Sequence, residues 1–130
     1  MESLVKKQFV LLLMFFALPI LSADLYSKNH QLYEIKSKHF IFIYPEDCKT
    51  EAFYLVQNAE EILQEVCSLL NTTFTDTLPV ALTKDHQSLN GGFTPFPSNR
   101  IYLYLAPISP DSGFAVYNDS LRKLFLHELT

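Results

Sequence analysis

The sequence predicts a small α+β (α/β) domain: a β-α-β-β-α unit in which one long amphipathic helix packs on a small mixed sheet. Three observations lead there. Apolar residues recur at three- and four-residue steps from Ala52 to Leu70. Short runs of β-branched, aromatic and aliphatic residues flank that stretch at His39–Tyr44, Leu78–Thr83 and Arg100–Leu105. The chain is 130 residues long and 48% hydrophobic, enough for one modest core and too little for two domains.

His39-Phe-Ile-Phe-Ile-Tyr44 opens the unit as a strand stopped by Pro45, and its nearly continuous apolarity predicts burial on both faces. A polar connection follows, with Asp47 or Thr50 available as an N-cap. In the long helix, Ala52, Leu55, Val56, Ala59, Ile62, Leu63, Val66, Leu69 and Leu70 form the apolar stripe. Glu51, Gln57, Glu60, Glu61, Gln64 and Glu65 mostly take the opposite side. Leu78-Pro-Val-Ala-Leu-Thr83 is the second strand, and a strand–helix–strand run of this length favours a parallel pair joined by a crossover. Lys84 to Asn99 reads as a turn-rich loop containing Asn90-Gly91-Gly92. Arg100–Leu105 is the third strand. Asn118-Asp119-Ser120 supplies a cap from which Leu121, Leu124 and Phe125 open a last helix.

Residues 1–23 stand apart. Lys6 and Lys7 precede an unbroken apolar run from Phe9 to Leu21, then Ser22 and Ala23. A short positive segment, an apolar core of this length and a small residue at its exit describe an export signal. The run is shorter than the roughly 20 residues of a spanning helix. Cleavage after Ala23 leaves a domain at 24–130; an uncleaved signal would serve as a membrane anchor, since Leu21 is large for a cleavage site. Either way the domain faces an extracytoplasmic space, secreted or periplasmic.

Composition narrows the function classes. The net charge of −4, without a polybasic run, speaks against nucleic acid as a partner. Two cysteines make neither a disulfide-dense scaffold nor a four-Cys zinc module. An exported protein would be expected to pair Cys48 with Cys67. A continuous helix forbids it: the sixteen residues from Glu51 to Cys67 span about 24 Å at 1.5 Å each. A disulfide needs Cα atoms within about 7 Å, so two free thiols are expected. His30, His39 and His86 lack metal-ligand spacing and read as surface or strand-end residues. Asn71-Thr-Thr73 and Asn118-Asp-Ser120 match the glycosylation pattern, and helix-end turns explain them equally well.

The last four residues are His127-Glu128-Leu129-Thr130. Zinc peptidases carry H-E-x-x-H on a helix, because residues i and i+4 share one face and both imidazoles reach one metal. Here the second His position falls one residue beyond Thr130. By itself the dipeptide is weak, and an exposed pair near a helix end is the plain reading. The wider order adds to it. Asn90-Gly91-Gly92, then Asn99-Arg-Ile-Tyr-Leu-Tyr104, then a capped helix ending Leu-His-Glu-Leu-Thr resembles the exported gluzincin-type peptidases of the peptidase MA-like group, over roughly 39–130.

That resemblance implies His127 as first zinc ligand and Glu128 as general base. It implies that the strand before the zinc helix, with Arg100, Tyr102 and Tyr104, offers its edge to a peptide substrate. The Asn90-Gly91 loop would bring backbone close to that substrate. A catalytic zinc needs three protein ligands and an open position. The second His and the family's downstream Glu ligand are not in these 130 residues. The expectation is therefore a metallopeptidase-like domain that binds zinc and cleaves peptides only in a longer form. The alternative is a small exported binding or structural module that uses a strand edge or the long helix to hold a protein partner.

Overall fold

A computed structural model describes residues 31–107 and 113–130. The expected export signal at 1–23, His30 and Pro110 of the loop before the last helix lie outside the described residues. Among those described, no helix is long and apolar enough to cross a membrane.

The elements are β1 (Leu32–Lys36), β2 (Phe40–Pro45), a 3-10 turn (Glu46–Cys48), α1 (Lys49–Leu69), β3 (Leu78–Thr83), β4 (Asn90–Thr94), β5 (Arg100–Tyr104) and α2 (Gly113–Leu129). The strands form one mixed sheet in the order β1-β2-β3-β5-β4. Its centre is parallel: β2 pairs with β3 and β3 with β5, while β1 and β4 close the two ends antiparallel. This is the predicted α+β architecture, with two strands the sequence reading did not contain. β1 was hidden by its alternation of Tyr33 and Ile35 with Glu34 and Lys36, short and half-polar. β4 lies inside the stretch read as a loop, since two consecutive glycines have no strand preference of their own. Register against β5 holds them extended.

Both helices lie on one face of the sheet. Phe40, Phe42, Val80, Leu82, Ile101 and Leu103 are fully buried beneath Leu55, Ala59 and Ile62 of α1 and Leu121 and Phe125 of α2. The Phe125 ring meets Phe40 edge-on at 5.2 Å and tilts against Phe42 at 6.0 Å, fastening α2 to β2. Each such side chain contributes about 1.5–3 kcal/mol through removal from water. The alternate residues Ile41, Ile43, Ala81 and Tyr102 are only half-buried. The expected burial of β2 on both faces is thus corrected: no described helix covers the second face.

The helix ends also differ from expectation. α1 starts after Cys48, with no side-chain bond from Asp47 or Thr50 capping it. Glu51, assigned to the polar side, is 2% exposed and forms an ion pair with Lys84 Nζ at 2.8 Å. A buried carboxylate needs such a partner. At the other end Asn71 takes a φ of 48°, where Thr72 N–H donates to the Cys67 carbonyl and Asn71 N–H to that of Ser68. That pattern is a Schellman stop with Asn in the left-handed position. α2 begins at Gly113, so Asn118–Ser120 lie inside the helix rather than capping it, and the Ser120 hydroxyl donates to the Val116 carbonyl. Cys48 and Cys67 are both free, as the uninterrupted 21-residue helix requires.

Candidate functional site

α2 places the His-Glu pair by its phase. Tyr117, Leu121 and Phe125 are the residues that anchor the helix to the sheet, four positions apart. His127, two residues past the last anchor, is turned outward and exposed. Glu128, three past it, is half-buried and comes down over β4.

There it meets Gly91. A Cβ built on Gly91 would lie 2.7 Å from Glu128 Oε1 and 2.8 Å from both Cδ and Cγ. Only a residue without a side chain lets the carboxylate occupy that position, the use of a strand glycine where another group approaches closely. Gly91 stands opposite Leu103 of β5, whose buried side chain shows that this is the helix-covered face. Two features that the sequence reading singled out 37 residues apart, the Asn90-Gly91 segment and Glu128, are therefore in contact.

The other expected residues lie elsewhere. Arg100, Tyr102 and Tyr104 pair with Thr94, Gly92 and Asn90. By alternation from Leu103 they face the uncovered side of the sheet, away from Glu128. Arg100 donates to the Ser98 hydroxyl at 3.0 Å, and the His86 ring stands edge-on to Tyr104 at 4.4 Å. Their strand is not an edge either. β5 lies between β3 and β4, and the free edge beside Glu128 belongs to β4. The expectation that Arg100–Leu105 offers an edge is corrected: among the described residues the strand at that end of the sheet is Asn90–Thr94. The reason is that the glycine-rich segment folds back as an antiparallel strand and covers β5. Asn90 itself uses its side-chain oxygen locally, accepting the Gly91 N–H at 2.9 Å.

Behind Glu128 lies a recess of about 250 Å3, lined by Leu63, Val66, Leu70, Phe93, Asn99 and Glu128 among others. Phe93 had no part in the sequence reading, and Asn99 entered it only as the first residue of the Asn99–Tyr104 stretch on which the resemblance rests. The signal for Phe93 is its spacing of two from Gly91, which puts both on one face once β4 is recognised as a strand. Asn99 carries no comparable signal.

Among the described residues no group of three His, Cys, Asp or Glu side chains could hold a metal ion. His127 and Glu128 have no third donor beside them. The chain's described residues do not by themselves make up a zinc site.

No protein-family model, curated protein or solved structure matches the chain.

Proposed function

We propose that the chain is an exported, metallopeptidase-like domain, inactive by itself, whose longer form holds zinc and cleaves peptide bonds. The observation that carries this reading is the Glu128 carboxylate lying in the space left by Gly91 on the free edge strand. An extended peptide added to that edge by main-chain hydrogen bonds would run past the carboxylate. A general base must lie within hydrogen-bond reach of the group it serves, and a carboxylate beside the edge strand supports that reading. His127, its neighbour on α2, would be one metal ligand; the others would come from sequence after Thr130.

The test compares the 130-residue chain with a form extended past Thr130 that carries His at the first added position and the sequence that follows it in the gene. The extended form is expected to bind one zinc and hydrolyse a peptide. Glu128→Gln should abolish hydrolysis and leave zinc bound. Gly91→Ala should lower hydrolysis without unfolding the protein, because its methyl group displaces only the flexible end of Glu128. Failure of the extended form to bind zinc would overturn the reading. So would stoichiometric zinc binding with peptide hydrolysis by the 130-residue chain, for the part that holds it inactive alone.

A second reading rests on the same free edge: a non-catalytic exported module that holds a protein partner as an added strand. In that case His127→Ala and Glu128→Ala leave partner binding unchanged, and no extension creates activity.

A further inference from the structure

The recess behind Glu128 is apolar in its walls and negative in its field. Its lining passes from the buried side chains of Leu63, Val66 and Leu78 to Leu70 and Phe93, which are 53% and 49% exposed at its rim. Among the described residues Glu128 is the one charged group on that lining. Its half-buried carboxylate has no ion-pair partner or hydrogen-bond donor among them.

Both helices also end against the recess. α1 finishes at Leu69 and α2 at Leu129, and Leu70 and Leu129 lie on the lining. The last turn of a helix carries the negative end of its dipole, which favours a cation close by. The described residues supply no lysine or arginine for it. α1 has no basic residue in its last turn, and α2 has only His127, which is exposed and turned outward.

We propose that the recess binds an organic ammonium ion: one positive charge on a compact apolar body. The ammonium pairs with the Glu128 carboxylate, and the body lies against Leu63, Val66 and Phe93. A neutral ligand would cover the carboxylate without pairing it, which costs free energy. An anion would meet like charge from Glu128 and from both helix ends. A bare inorganic cation would leave the apolar wall in water. An apolar cavity of about 150 Å3 holds a benzene ring. The recess of about 250 Å3 therefore has room for a phenyl ring with a short ammonium arm. Such an ion withdraws Glu128 from any role as a base, but the binding site does not depend on the peptidase reading.

All described strands and helices lie within residues 24–130, and that segment is the protein to measure. The probe is 2-phenylethylamine, protonated near pH 7 as lysine is. Its uncharged counterpart of equal size is 2-phenylethanol. Titration followed by amide chemical shifts is expected to give saturable changes at Val66, Cys67, Phe74 and Leu129, which line the recess. A Kd on the order of 1 mM suits a ligand of about nine non-hydrogen atoms. The alcohol should bind about tenfold more weakly, as it lacks the charge-assisted bond. Raising ionic strength from about 20 mM to about 300 mM should weaken the amine severalfold and leave the alcohol unchanged. Glu128→Gln should lower the amine's affinity to that of the alcohol. Saturating amine should also slow alkylation of Cys67. An amine with no saturable effect on the recess residues overturns the proposal. So does an alcohol that binds as tightly as the amine, or an amine whose affinity neither salt nor Glu128→Gln changes. None of these readouts involves zinc or hydrolysis, so the ammonium site and the peptidase reading can fail separately.

Discussion

The β2–α1–β3 half of the molecule and the β4–α2 end answer to different demands. In the first, the inward side chains Phe40, Phe42, Val80 and Leu82 are fully buried in one cluster with α1, and the polar exception, Glu51, is ion-paired. In the second, Phe93 is half-exposed at the recess, Phe96 is more exposed still, and among the described residues a strand edge is left open next to a carboxylate. Packing density is set by stability in the one region. In the other, apolar groups and backbone bonds are left unmatched within the chain, as binding surfaces are.

Paired truncations test whether that contrast is energetic. Phe42→Ala removes a fully buried ring that packs against Phe125, and is expected to cost about 3–5 kcal/mol. Phe93→Ala removes a half-exposed ring and should cost under about 1 kcal/mol, near the range of surface substitutions. Urea unfolding of residues 24–130 measures both. Equal losses would show that the β4 end belongs to the same cooperative core.

The thiols provide a second probe, one at the start of α1 and one near its end, beside the recess. Cys48 is fully buried, and burial together with the nearby Asp47 pushes its pKa up to about 12. Cys67 is half-buried and lines the recess. Alkylation near pH 8 should therefore modify Cys67 and spare Cys48 until the protein unfolds, because the thiolate is the reactive form. Peptide mapping after a short iodoacetamide pulse separates them. Early labelling of Cys48 would mean that the α1 start opens locally, placing the weak region at the wrong end.

The same contrast governs what the sequence made legible. The stripe Ala52–Leu70 and the runs Phe40–Tyr44 and Leu78–Thr83 are consequences of burial, and burial leaves a period. Leu78–Thr83 is recovered to the residue. β4 left no period, because glycine carries no side chain to alternate; its conformation comes from the β5 register alone. The edge was therefore assigned one strand too far into the sheet, to Arg100–Leu105, and Arg100, Tyr102 and Tyr104 were credited with a position they do not hold. Glu51 was misplaced for another reason. A carboxylate at the start of an amphipathic helix reads as solvated, and only the fold brings Lys84 from the end of β3 to neutralise it. Glu128 was singled out by motif, but its contact with Gly91 depends on the tilt of α2 across the sheet, which no local pattern encodes.

The smallest expected effect concerns how α1 is tied to the start of β2, on the well-packed side. The Glu60 carboxylate accepts the Ser37 hydroxyl at 2.6 Å, the His39 backbone N–H at 2.8 Å and His39 Nδ1 at 2.7 Å. Burial alone would raise its pKa, but these hydrogen bonds outweigh it and hold the carboxyl below its ordinary value. A carboxylate with a depressed folded pKa stabilises the fold above its unfolded value, near 4.3. That contribution is lost as pH falls from there through the folded pKa. The site is partly solvated, so the effect is modest. Glu60→Gln keeps the shape and removes the titration. The stability difference between wild type and Glu60→Gln should be constant from neutral pH down to about 5 and shrink below it. Thermal unfolding across pH 3–7, roughly the span of carboxylate titration, measures that difference. A difference that does not change with acid would show that the three hydrogen bonds are made as well by a neutral amide. The tie would then be one of geometry rather than charge.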